Sequence, residues 1–139
     1  MTEEMKKILV VEDDVPNSIV AQHFLEMFGY ESDVAHTGSR ALELTEKNRY
    51  AAILMDVTMP DMNGLDITRA LRGREQQMPV QAYIIGMTAH ASNEDRDACL
   101  GAGMNDFIKK PFDGDTLREK LQECTQIVPS ATPTTALSS

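Results

Sequence analysis

The chain has 139 residues, enough for one domain with a buried core and too few for two of ordinary size. Its 22 acidic and 13 basic residues leave a net charge of -9, a surface that repels phosphate backbones and argues against a nucleic-acid partner. No apolar run reaches the ~18 residues of a membrane span. The opening M-T-E-E-M-K-K is unlike a secretory leader, and Cys99 and Cys124 lack metal-type spacing, so a reduced, cytoplasmic protein away from membranes is expected.

Short apolar runs alternate with longer amphipathic stretches. Ile8–Val11 reads as a first strand. Pro16 suits a first helical turn, and Ile19, Val20, His23, Phe24 and Met27 follow at helical intervals until Gly29 stops the pattern. Ser32–Ala35 reads as a second strand. A second helix is expected from near Ser39, with Ala41, Leu42 and Leu44 on its inner side. Ala51–Met55 gives a third strand, and Leu65, Ile67, Ala70 and Leu71 a third helix ending near Gly73. After a fourth strand at Ala82–Met87, Ser92 is placed to cap a fourth helix closed by Gly101 and Gly103. Asp106–Ile108 is the fifth strand. Leu117, Leu121 and Cys124 form the inner stripe of a fifth helix, with Asp113 or Asp115 at its start. From Val128 the uncharged P-S-A-T-P-T-T-A-L-S-S cannot pack, so residues 1–126 are expected to form the domain and 127–139 a flexible tail or linker stub.

Five strands alternating with five helices predict an α/β fold, a parallel sheet covered on both faces. In such sheets ligands bind beyond the carboxyl ends of the strands. Those ends carry Glu12-Asp13-Asp14, Asp56, Met87-Thr88 and Lys109-Lys110. Carboxylates crowded at one edge repel each other, and a divalent cation relieves the repulsion. Magnesium needs only one or two carboxylates, several waters and a substrate phosphate. Asp13 and Asp56, with Glu12 directly or through water, supply that pattern, and the Thr58 backbone carbonyl would complete it. With its charge screened by the metal, one carboxylate can attack phosphorus and form an aspartyl-phosphate. Side chains alternate along a strand, so only one of Lys109 and Lys110 can point into the site, and the extended residue before Pro111 is Lys110.

The segments V-V-E-D-D at 10–14, I-L-M-D-V-T-M-P-D-M-N-G at 53–64, M-T-A-H-A at 87–91 and F-I-K-K-P-F at 107–112 resemble response-regulator receiver domains. The resemblance covers roughly residues 6–125. It implies a flavodoxin-like sheet of order 2-1-3-4-5, Asp56 as phosphoacceptor, and Glu12 and Asp13 as the acidic metal pair for Mg2+. It also implies Lys110 as the cationic clamp, Thr88 as the switch hydroxyl, Phe107 as the aromatic that changes rotamer, and a cis bond before Pro111. M-T-A-H-A and G-M-N-D-F-I-K-K-P are similar to receivers of hybrid sensor kinases. The implied donor is a phosphohistidine on a histidine kinase or a histidine phosphotransfer protein. The implied output is a downstream protein partner reading the fourth helix, fifth strand and fifth helix, residues 92–124.

The chain departs from the family pattern in places. Asp14 adds a third carboxylate, read here as a helix cap. Gly86 stands where alanine is expected, loosening the strand beside the switch. The stretch from Pro79 to Tyr83 is longer than usual before strand four. His90 is either near the edge of the site or an exposed or capping residue. Two other functions fit the architecture less well. A phosphatase with an aspartyl-phosphate intermediate would carry a second acid two residues after the nucleophile, and position 58 is threonine. A flavin module would need a Gly/Ser/Thr-rich phosphate loop after strand one, where Glu12-Asp13-Asp14 would repel the anion. The expected role is a signalling switch that phosphorylates itself, not a free-standing enzyme.

Overall fold

The computed structural model describes residues 7–57, 59, 63–75, 82–89 and 92–127, giving the backbone alone at 75 and 124–127. In chain order these form β1 (Lys7–Val11), α1 (Val15–Met27), β2 (Glu31–Ala35), α2 (Gly38–Lys47) and β3 (Ala52–Asp56). There follow α3 (Gly64–Glu75), β4 (Tyr83–Thr88), α4 (Asn93–Ala102), β5 (Asp106–Lys109) and α5 (Gly114–Ile127). The tail from Val128, together with Thr58, His90, the Met62 position and the stretch 79–81, lies outside the described residues.

All five strands are parallel, in the order β2-β1-β3-β4-β5. The central strands are apolar on both faces because helices cover both. Leu9, Val11, Ile53, Met55 and Ile84 pack into one core layer with Ala41, Leu44, Ile67 and Leu71 of α2 and α3. Ile8, Val10, Leu54, Ile85 and Met87 pack into the other with Ala21 and Leu25 of α1 and Leu117 and Leu121 of α5. Each such aliphatic side chain contributes about 1.5–3 kcal/mol when fully buried. Polar groups are absent from the middles of these strands and begin at their carboxyl ends, as Glu12 and Asp56 do.

The caps follow from local chemistry. Asp14 is the N-cap of α1, its Oδ2 accepting from the Asn17 amide at 2.9 Å. Gly29, at φ +91°, ends that helix in the left-handed region that costs glycine little. Ser92 caps α4 by accepting from the Asp95 amide at 3.1 Å. Asp113 accepts from the Thr116 amide at 2.8 Å, which makes it the starting cap of α5 and holds its carboxyl below the usual range.

Details of these elements refine or correct the expectations. The helical spacing of Ile19, Val20 and Met27 is borne out by α1, and the side of the helix that carries them faces out. These side chains are 57, 51 and 64% exposed, and α1 buries Ser18, Ala21 and Leu25 instead. Ser18 and Ala21 let the helix lie against the sheet and Leu25 fills the core beside them, which leaves Ile19, Val20 and Met27 outside. α3 ends at Glu75, near Gly73 as expected, but Gly101 lies within α4, which is closed by Gly103 alone at φ +113°. With every residue after Tyr83 buried, β4 runs unbroken through Gly86. A Cβ there would lie 2.5 Å from Met104 Sδ and 3.4 Å from Cys99 Sγ, so the missing methyl makes room for the two sulfurs.

Candidate functional site

Parallel strands of similar length end together, and the helices that follow them start at the same edge. Glu12 directly follows β1, Asp56 closes β3, Thr88 closes β4, and Lys110 directly follows β5. Glu12, Asp56 and Thr88 are 3, 3 and 5% exposed, a burial that carboxylates tolerate only with compensating charge. Lys110 supplies part of it. Its Nζ donates to Glu12 Oε1 at 3.2 Å and pairs with Asp56 Oδ1 at 3.4 Å. Burial pulls the Lys110 ammonium toward neutrality, but Asp56 and Glu12 outweigh that pull and raise its pKa above the ordinary value. Lys109 is exposed and paired across the strands with Thr88, its side chain alternating away from the acids.

Asp13, half-buried, completes the acidic set. Single carboxylate oxygens of Glu12, Asp13 and Asp56 lie within 4.8 Å of one another. Three hard oxygen donors carry more negative charge than the Lys110 ammonium offsets, and the donor chemistry fits a magnesium or similar hard cation. Asp14 is not among them: it is exposed and occupied in capping α1. The Thr58 carbonyl, the expected fourth protein ligand, lies outside the described residues.

Thr88 and Phe107 are brought to one face of the sheet. Gly86 pairs with Phe107 and Thr88 with Lys109, so the threonine and the half-buried ring are diagonal neighbours across β4 and β5. The Thr88 carbonyl accepts from the Lys110 amide at 2.7 Å, tying the end of β4 to the lysine. The Lys110–Pro111 peptide is cis. Beside the site is a cavity of about 330 Å³ lined by Val20, Ala21, Met87 and Phe112 together with Glu12 and Lys110.

Two residues at the site escaped the sequence reading. His36 Nδ1 lies 2.9 Å from the Glu12 carbonyl, and since a carbonyl only accepts, Nδ1 carries the proton. His36 follows the last residue of β2, so the strand-end rule applied to that strand as well would have found it. Gly64 opens α3 directly against the Asp56 backbone. A Cβ there would collide with the Asp56 carbonyl oxygen and lie 2.9 Å from its carbon, while the Gly64 amide donates to the Val57 carbonyl at 3.0 Å. Its sequence signal was only a glycine closing a motif.

Residues 8–122 match the family model described as response regulator receiver domain. The chain is 38% identical over 120 residues to hybrid signal transduction histidine kinase B of Dictyostelium discoideum, covering 80% of this chain and 6% of that kinase. It thus spans a small part of the length of the curated relatives it matches. Among solved structures it resembles the receiver domain of a sensor histidine kinase from Pseudomonas aeruginosa PAO1, solved with a magnesium ion in its active-site cleft. The identity is 39%, the TM-score 0.76, and the match covers 86% of this chain and 96% of the other. It also resembles a receiver domain from Saccharomyces cerevisiae, co-crystallised with the histidine phosphotransfer protein upstream of it. There the identity is 26%, the TM-score 0.83, and the coverage 90% and 93%. A family match across nearly the whole described chain, on a sheet of the same kind, leaves one conclusion: this chain belongs to the response-regulator receiver family.

Proposed function

We propose that the chain accepts a phosphoryl group from a phosphohistidine onto Asp56 and relays or reports it through the α4-β5-α5 face. The observation that carries this is the buried Asp56 carboxylate within ion-pair reach of Lys110 and clustered with Glu12 and Asp13. An Asp56 oxygen attacks phosphorus, the P–N bond to the donor imidazole breaks, and the ring nitrogen leaves with the bonding pair. A magnesium ion held by Glu12, Asp13 and Asp56 would neutralise phosphoryl charge and orient the group for in-line transfer. Lys110 moves its ammonium from the carboxylates to a phosphoryl oxygen, and the Thr88 hydroxyl donates to another. Phe107 then turns toward the space the threonine has left, which changes the exposed face.

A phosphohistidine on a protein needs a surface beside the site. Val15, Ile19 and Val20 offer one on α1, being 51, 57 and 51% exposed, and Val20 also lines the cavity that Lys110 shares. A histidine kinase or histidine phosphotransfer protein is the donor class this surface suits, as in the yeast complex. The test is labelling of parent and Asp56→Asn with acetyl phosphate and with a phosphorylated histidine phosphotransfer domain. Loss of both labels in the variant is expected. Equal labelling of the variant, mapped to another carboxylate, would overturn the assignment of Asp56. Ile19→Asp should lose only the protein donor.

A further inference from the structure

The two ends of α4 are held very differently. Of Asn93–Ala98 none is buried, and the buried side chains of the helix are Cys99 and Ala102, both in its second half. Immediately beyond, Met104 is 4% exposed and sits with Cys99 against the gap that Gly86 leaves in β4. Arg72 of α3 closes the same end. Its Nε donates to the Gly103 carbonyl at 2.8 Å, Nη1 to the Ala82 carbonyl at 2.8 Å and Nη2 to Asn105 Oδ1 at 2.7 Å. Asn105 Oδ1 also accepts from the Ile84 amide at 2.8 Å, and the Asn105 amide donates to the Ile84 carbonyl at 2.8 Å. One guanidinium therefore joins α3, the start of β4 and the turn between α4 and β5. Its stem lies on Gly103, where an added Cβ would be 2.7 Å from Arg72 Cγ. At the other end, only residues 89–91 separate Thr88 from the Ser92 cap.

We infer that Arg72 is a positioning residue that fixes a pivot at Gly103–Asn105, so that α4 works as a lever moved from its Thr88 end. The inference rests on the phosphoacceptor reading of Asp56 and narrows it. The part of α4 that moves is its exposed first half, residues 92–98, while residues 99–105 stay seated on β4 and α3. A helix end with few buried contacts opens at low free energy, whereas the sulfur-filled gap and the three-way guanidinium hold the other end to the fold. A displacement at Thr88 is thereby expressed at the free end and not absorbed by sliding of the whole helix.

The test uses the full chain, magnesium and beryllofluoride as the phosphoryl mimic. Without the mimic, amides of 96–98 should exchange with solvent at least about tenfold faster than those of 102–104. With it, large amide-shift changes within residues 92–105 should be confined to 92–98. Arg72→Met keeps the stem on Gly103 but removes the guanidinium. It should label with acetyl phosphate at the parental rate while the mimic-induced changes spread through residue 105. Equal changes across 92–98 and 99–105 in the parent, or an unaltered pattern in Arg72→Met, would overturn the pivot. Should Arg72→Met not fold, the exchange contrast in the parent decides alone: equal protection at both ends refutes the proposal. Failure of Asp56 to label is a separate outcome, which removes the phosphoacceptor reading without touching the exchange contrast.

Discussion

Gly64→Ala adds one methyl where the backbone of Asp56 leaves none of the room it needs. The new Cβ would collide with the Asp56 carbonyl oxygen and lie 2.9 Å from its carbon and 3.0 Å from Val57 Cα. All three are backbone atoms, so no side chain can rotate away. Either the start of α3 retreats or the end of β3 is displaced, in both cases by roughly 1 Å, and a misplacement of that size costs on the order of 100-fold in a reaction that depends on positioning. Overpacking of this kind costs about 1–3 kcal/mol. At about 4 °C per kcal/mol for a domain of this size, the melting temperature should fall by several degrees. Intact-mass measurement of acetyl phosphate labelling, with thermal unfolding of the same preparation, reads both effects. A variant that labels at the parental rate and melts at the parental temperature would show that this contact does not position Asp56.

Asp13→Asn removes one of the clustered carboxylates and should weaken magnesium binding at least tenfold; a titration showing parental affinity would remove Asp13 from the ligand set. Asp14→Ala should instead cost about 0.5–2 kcal/mol through loss of the α1 cap, with magnesium affinity unchanged, as read by denaturant unfolding and the same titration. Thr88→Ala should still take phosphate on Asp56 but lose the beryllofluoride-dependent amide shifts of α4. Equal shifts in parent and variant would show that the response does not run through Thr88.

The alternation of apolar runs and amphipathic stretches was sufficient to place five strands and five helices, because a strand buried on both faces must be apolar throughout. The strand ends were legible for the same reason: Glu12, Asp56 and Lys110 are charges that stop an apolar run, and parallel strands carry such stops to one edge. The facing of α1 was not legible. Ile19, Val20 and Met27 satisfy helical periodicity as well as Ser18, Ala21 and Leu25 do, and only the close approach of the helix to the sheet decides which set is buried.

Residue types and their order along the chain thus determined the architecture, the acidic edge and the lysine that faces it, since these depend on local periodicity and on charges interrupting it. Tertiary structure alone decided what lies between elements distant in the chain. It set the Gly64 contact with the Asp56 backbone, the His36 bond to the Glu12 carbonyl, the sulfurs filling the gap at Gly86 and the Arg72 bridge to Gly103 and Asn105. The physical reason is that a missing Cβ or a guanidinium has no periodic signature. Its meaning comes from the atoms that packing brings to within 3 Å of it.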